Sequence, residues 1–280
     1  MQRMKFDTEY GVDKYLIVDS DEIVAAAERP AMNGRLERKL GRGRQEWYDN
    51  CSYDKFSQSI RTGDESLVQE AEEFLREIED QVPVSRGWRN VDDVIGAVPN
   101  VPSFLAGHPQ CMRRRERTWK ESAPLAIYLD LTSSAGISAR QLRRRGVVML
   151  ALVRLLVEHR PVTLYAGTSQ GNYRLSGTTM WQIDTAPLDL ARAAFMIGSP
   201  AMARGFGYES NYEYHRTSGA WPFNDYSISA STGKARLEAV FPGQETMYVP
   251  AIFATDPMKA DPVGWLKRAI KKYTRSEEEE

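Results

Sequence analysis

The stretch LAIYLDLTSSAG, residues 125–136, decides the fold. Leu125 to Leu129 run apolar without polar alternation, which a strand buried on both faces requires. Asp130 then ends the run, and Thr132, Ser133 and Ser134 follow before Gly136. A carboxylate and three hydroxyls at a strand end have two physical uses. They satisfy the amides that open the next helix, or they hold a ligand.

Working outward, SARQLRRRGVVMLALVRLLVEHR (138–160) predicts a long helix stopped by Pro161. Its part from Val147 to Val157 is apolar nearly all round and therefore buried. PVTLYAG (161–167) reads as a second strand, TSQGNY (168–173) as a turn and TTMWQID (178–184) as a third strand. The short turn predicts an antiparallel hairpin. PLDLARAAFMI (187–197) reads as a helix, TMYVPAIFA (246–254) as a buried strand and DPVGWLKRAIKKY (261–273) as a closing helix. Residues 198–245, rich in Gly, Tyr, Trp and Ser, give no clear period. Alternating strands and helices predict an α/β fold with a largely parallel central sheet.

Upstream, YLIVDSDEIVAAAERP (15–30) reads as a short strand and a helix ended by Pro30. GRLERKLGRGRQ (34–45), basic and punctuated by glycine, reads as a linker or mobile arm. In residues 64–81, Leu67, Val68, Ala71, Phe74, Leu75 and Ile78 recur at helical spacing behind Asp64, an N-cap, with acids in the first turns. The segment 82–124, with AVPNVPSFLAGHPQCM, reads as an irregular connection packed on a surface. The expected organisation is a helical and irregular portion at 1–123, an α/β domain at 124–274 and a disordered acidic tail at 275–280.

The 280 residues allow a substantial core. Apolar content of 42%, charged content of 27% and a net charge of −1 suit a globular chain and give no global pull toward nucleic acid or membrane. No apolar run approaches a membrane span, and the N-terminus lacks the apolar core of a signal peptide. Cys51 and Cys111 show no CxxC spacing, so reduced thiols in a cytoplasmic protein, host cytoplasm if viral, are expected.

In an open α/β sheet the functional crevice lies beyond the carboxyl ends of the strands. Three predicted strands end in oxygen donors: Asp130, Thr132 and Ser134; Asp184 and Thr185; Thr255 and Asp256. Brought together they would make an all-oxygen site suited to Mg²⁺ or Mn²⁺. D-x-T-x-S after a buried strand resembles the D-x-[ST]-x-S metal motif of von Willebrand factor A domains. IDTAPLDLARAAF resembles that family's threonine element, and IFATD its aspartate at the end of a later strand. The resemblance covers residues 124–274 and implies a doubly wound, mostly parallel sheet with a helical N-terminal extension. It also implies a metal-ion-dependent adhesion site of Asp130, Thr132, Ser134, Thr185 and Asp256, to which a partner's carboxylate adds. Pro257 stands where the family has glycine, and Asp225 is an alternative third ligand. VPSFLAGHPQCM and RRRG also resemble an uncharacterised group of bacteriophage proteins.

A second constellation is basic: Arg113, Arg114, Arg115, Arg117, Lys120, Arg140, Arg143, Arg144 and Arg145. Arginines in the first turns of a helix oppose its dipole, so an anion or nearby carboxylates must offset them. With Trp119, Tyr165, Tyr173, Trp181, Tyr208, Tyr212, Tyr214 and Trp221 as stacking faces, they fit single-stranded nucleic acid. The acids of helix 64–81 offer the competing answer.

No GxxxxGK[ST], HExxH or GxSxG is present. His108, His159 and His215 are isolated, and Cys111 with His108 lacks a third partner. Metal-dependent phosphoryl hydrolysis is the remaining catalytic option. The main expectation is a non-enzymatic module binding a protein partner, such as an ATPase or polymerase component, through a divalent cation. The alternative is a single-stranded nucleic-acid-binding accessory factor in phage transcription or replication.

Overall fold

The computed structural model describes residues 2–8, 11–42, 45–78, 88–117, 124–158, 160–171, 175–215, 237–252 and 257–274. LAIYLD forms strand β6 (Leu125–Asp130), with every residue buried. Buried on both faces, it sits inside a six-stranded sheet rather than at its edge. The other strands are β1 (Gln2–Thr8), β2 (Gly11–Val18), β7 (Val162–Gly171), β8 (Leu175–Ile183) and β9 (Glu245–Val249). Their order is β1-β2-β8-β7-β6-β9. β6 runs parallel to β7 and β9, and β2 parallel to β8. β7 and β8 form the predicted antiparallel hairpin, and β1 pairs antiparallel with β2. The chain is thus α/β with a mostly parallel sheet.

Alternation along the strands divides the core in two. Leu16, Val18, Leu125, Ile127, Leu129, Leu164, Ala166, Trp181, Ile183, Met247 and Val249 face one side. Against that side lie α1 (Ser20–Glu28), α2 (Pro30–Arg42), α3 (Tyr53–Thr62), α4 (Glu65–Ile78), α6 (Ala139–Val157), α7 (Leu190–Gly198) and α9 (Pro262–Thr274). Ile17, Ala126, Tyr128, Tyr165, Met180 and Tyr248 face the other, beneath Leu237, Val240 and Phe241. Phe241 stacks on Tyr165 with ring centroids 4.6 Å apart. Most of the described helices lie on the first face, and the short helical turn at 237–240 covers the second.

The expected boundary at 123/124 does not separate two cores. β1 and β2 extend the same sheet from the β8 edge, and one apolar cluster runs from Leu16 to Tyr273. Nor are residues 34–42 an arm, because they continue α2. Met32, Leu36 and Leu40, four residues apart, make one buried helix face that glycine punctuation did not reveal. A Cβ at Gly34 or Gly41 would meet open space, so both glycines cost only helix propensity. α4 forms as predicted: the Asp64 carboxylate accepts from the Ser66 and Leu67 amides at 3.1 and 3.4 Å. The expected turn at 168–173 is shorter, since Thr168 to Gly171 belong to β7. Their polarity reads as turn, yet Thr168 and Ser169 are buried among hydroxyl partners: Ser169 Oγ lies 2.9 Å from Thr178 Oγ1.

Residues 88–117 form a separate small sheet, β3 (Trp88–Asp93), β5 (Met112–Arg117) and β4 (Val98–Pro99) in that order, with α5 (Val101–Leu105) as a single turn. Among the described residues it packs on no element of the large sheet extensively. The unassigned 198–245 region contains a π-helical turn, Ala201–Gly207, and α8 (Tyr208–His215). No described helix is long and apolar enough to cross a membrane.

Candidate functional site

After β6 the chain turns through residues 131–138 and enters α6, where Ser138 and Gln141 form a capping box. The next strand in sequence, β7, lies on one side of β6 and the later β9 on the other. That divergence is a topological switch point, where open α/β sheets bind ligands.

Backbone bonds close much of this crevice. Ile252 N–H donates to Thr132 O at 3.0 Å, and Ser134 N–H to Ile252 O at 3.2 Å. Arg145, 5% exposed, clamps both strand ends: its guanidinium donates to Asp130 O at 2.9 Å and Pro250 O at 2.5 Å. Arg204, 1% exposed in the π-helical turn, donates to Ser133 Oγ, Trp47 O and Ile137 O, with its guanidinium 3.6 Å from the Trp47 ring centre. Tyr208 adds a bond to Ser133 O at 3.4 Å. Two buried arginines thus hold the loop by its carbonyls. Arg204 was missed in sequence; its one signal is a charge inside the small-residue run SPAMARGFG.

Two of the expected cation donors, Asp130 and Thr132, are engaged internally. Asp130 is 0% exposed and shares the parity of Ala126 and Tyr128, so it faces the side of the sheet opposite α6. Its Oδ1 accepts from the Thr132 amide at 2.9 Å and its Oδ2 from the Tyr248 hydroxyl at 3.1 Å. Burial pushes its pKa above the ordinary carboxylate value, and the Thr132 and Tyr248 bonds and Arg145 only partly oppose this. Thr132 Oγ1 donates to Ser169 O at 3.2 Å and accepts from Ser169 N–H at 2.8 Å, stitching the loop to β7. Ser134 is half-buried beside them. A divalent cation needs ionised, accessible oxygens, so binding one here would require Asp130 and Thr132 to give up these internal bonds.

Thr185 does not join them. β8 runs antiparallel to β7, so its end lies at the start of β7, where Thr185 Oγ1 donates to Val162 O. Asp130 pairs with Gly167, five residues further along β7 and roughly 16 Å away at the rise of a strand. Asp184 sits at that same far end, accepting from Ser20 Oγ at 3.1 Å. Asp225, Thr255 and Asp256 lie outside the described residues. Among those described, no group of three or more His, Cys, Asp or Glu is placed to hold a metal.

The basic residues separate into different roles. Arg143 bonds Glu70 at 2.6 Å and approaches Asp49 and Asp64 at 3.4 and 3.6 Å, while Arg154 meets Glu72 at 2.8 Å. The acids of α4, with Asp49 and Asp64, thus answer the α6 charge at Arg143. Arg145 is the structural clamp. Arg113 and Arg114 lie in β5 against Asp92 at 3.3 Å and Asp93 at 2.5 Å. Arg115 is also in β5; its side chain, like those of Tyr212, Tyr214 and His215, is outside the described set. Arg140 and Arg144 are exposed on α6 and contribute to a groove of about 500 Å³ with Glu70, Glu73, Phe74 and Glu77 of α4. Trp181 is buried in the core and Tyr165 packs under Phe241, so neither offers a stacking face.

The small sheet holds a feature that the sequence reading missed. Among the described residues, the large apolar side chains left exposed all lie in 94–105: Val94, Ile95, Val98, Val101, Phe104 and Leu105, each more than half exposed. Apolar residues and prolines together suggested packing against the body, but the small sheet turns them outward.

A comparison with curated proteins finds no match, and one with solved structures finds none. The family model of DUF7192, a domain of unknown function, matches residues 13–274, and the chain belongs to that family.

Proposed function

We propose that this chain is a non-enzymatic interaction module that docks a protein partner on the small sheet. The observation that carries the reading is the clustering of exposed large apolar side chains within residues 94–105. Contiguous exposed apolar surface marks interaction sites in soluble proteins. The chemistry of the partner follows from the rim. Arg113 with Asp92 and Arg114 with Asp93 border the patch as opposite-charge pairs. An apolar centre with a mixed polar rim is the anatomy of a protein interface. A phosphate backbone or an anionic lipid surface calls instead for unanswered positive charge. The expected occupant is therefore an apolar protein face with its own mixed rim.

One observation favours the von Willebrand A-like reading. Counted from β6, the order β8-β7-β6-β9 is 3-2-1-4, the opening of the commonest doubly wound order. A divalent cation at Asp130, Thr132 and Ser134 is a second reading, favoured by the position of this loop at the switch point. It requires Asp130 to leave Tyr248 and Thr132 to leave Ser169.

The test is a photo-crosslinking residue at position 104 in the native host, followed by purification of whatever protein is captured. That protein must bind the wild type at least tenfold more tightly than Phe104→Ser/Leu105→Ser, whose melting temperature should match the wild type. Adducts only with nucleic acid or lipid overturn the proposal. Self-association by sedimentation that is lost in the same variant also overturns it, by assigning the face to a homodimer.

A further inference from the structure

Beside the closed loop at the β6/β9 switch point a cavity of about 210 Å³ stays open. Gln141, Arg144, Arg145 and Val148, one face of α6, form one wall; Ile252, Met258 and Lys259 form the other. Three cationic residues line it, and the described lining contains no carboxylate. We propose that this cavity binds a phosphate monoester whose ester group is small and apolar.

The residues divide the work. Arg145 is fixed by Asp130 O and Pro250 O, so its guanidinium is already oriented when a ligand arrives. Arg144 and Lys259 are exposed at the rim and supply charge without burial. Gln141 Oε1 accepts from the Ser138 amide at 2.8 Å, which leaves its NH₂ to donate. A dianionic phosphate, with oxygens for several donors, matches three cations better than a single carboxylate does, and arginine favours planar, two-point contact with phosphate oxygens. The positive end of α6, a 19-residue helix, adds to the same field. Val148, Ile252 and Met258 give the cavity an apolar part. Its volume is below the roughly 300–1,000 Å³ of pockets that enclose drug-sized ligands, so only a short ester group fits. This site stands apart from the small sheet and does not depend on the partner proposed there.

The probes are inorganic phosphate and phenyl phosphate, titrated by calorimetry into the full chain at fixed ionic strength. Saturable binding is expected, with phenyl phosphate several-fold tighter than phosphate. Lys259→Gln and Arg144→Gln should each weaken it at least tenfold at unchanged melting temperature. Arg140→Gln, which lines only the neighbouring groove, should not. Absence of saturable binding of either probe refutes the site, as does equal loss in Arg140→Gln. If the small probes bind, glycerol 1-phosphate, whose ester group is polar, should bind no more tightly than inorganic phosphate; binding tighter than phenyl phosphate overturns the apolar ester group.

Discussion

Asp130 is the residue on which the sequence and the structure bear most differently. Its raised pKa means that the folded state holds the proton more tightly than the unfolded chain. That stabilisation is complete below the unfolded carboxylate pKa and is lost as pH rises through the folded value. Asp130→Asn mimics the protonated side chain, so its melting temperature should gain on the wild type as pH rises from about 4, near the unfolded carboxylate pKa, to neutrality. A deficit at neutral pH would mean that Arg145 outweighs burial. Asp130→Ala strands the Thr132 amide and the Tyr248 hydroxyl, and should cost about 1–3 kcal/mol for each buried group left unsatisfied. With Asp130 and Thr132 bonded internally, Mg²⁺ or Mn²⁺ added after EDTA should leave the wild-type melting temperature unchanged. A saturable rise absent from Asp130→Asn would return the loop to cation binding. The cysteines make another residue-scale contrast. Burial pushes the Cys51 thiol to about 11, while Cys111 is only half-buried. Iodoacetamide at pH 8 should label one thiol in the native protein, at Cys111, and two after denaturation.

At the scale of elements, the crossing of α6 and α7 is a close backbone joint. Gly146 faces Gly198 there, and a Cβ on Gly146 would overlap the Gly198 Cα. Backbone on both sides leaves no flexible side chain to yield. Gly146→Ala should therefore destabilise despite alanine's better helix propensity, by about 1–3 kcal/mol or more as overpacking does; chemical denaturation measures it. Gly34→Ala, in a helix with open space at that position, should be neutral to stabilising. A second joint is electrostatic. Arg35 of α2 reaches Glu209 and Glu213 of α8 at 2.7 and 2.5 Å, and Lys39 reaches Glu209 at 2.6 Å. These pairs tie the N-terminal helices to the element that also carries Tyr208 toward the loop.

For the whole molecule, continuity of the core makes the sharpest prediction. Residues 124–274 alone would lose β2 from the β8 edge and α4 from the apolar side of α6. An exposed strand edge and a stripped helix face are aggregation hazards. The fragment should show no cooperative unfolding, whereas a chain spanning residues 11–274 should melt as one transition. A fragment 124–274 that unfolds cooperatively would restore the two-part organisation.

Much of the large sheet was legible in residues 125–197, because uninterrupted apolar runs, helical period and a short turn are local signals. So were the capping of α4 and the closing helix. The reach of β7 was not legible, since hydroxyls at Thr168 and Ser169 look like a turn until Thr178 and Asn211 are seen to satisfy them. Of the candidate site, the sequence alone determined that Asp130, Thr132 and Ser134 stand at the carboxyl end of a buried strand. Which end of the sheet receives Thr185, which face Asp130 takes, and whether an arginine clamps, pairs or lines a cavity were decided by tertiary structure. Strand direction, parity and helix contact are relations between distant segments, and a motif's spacing along the chain does not contain them.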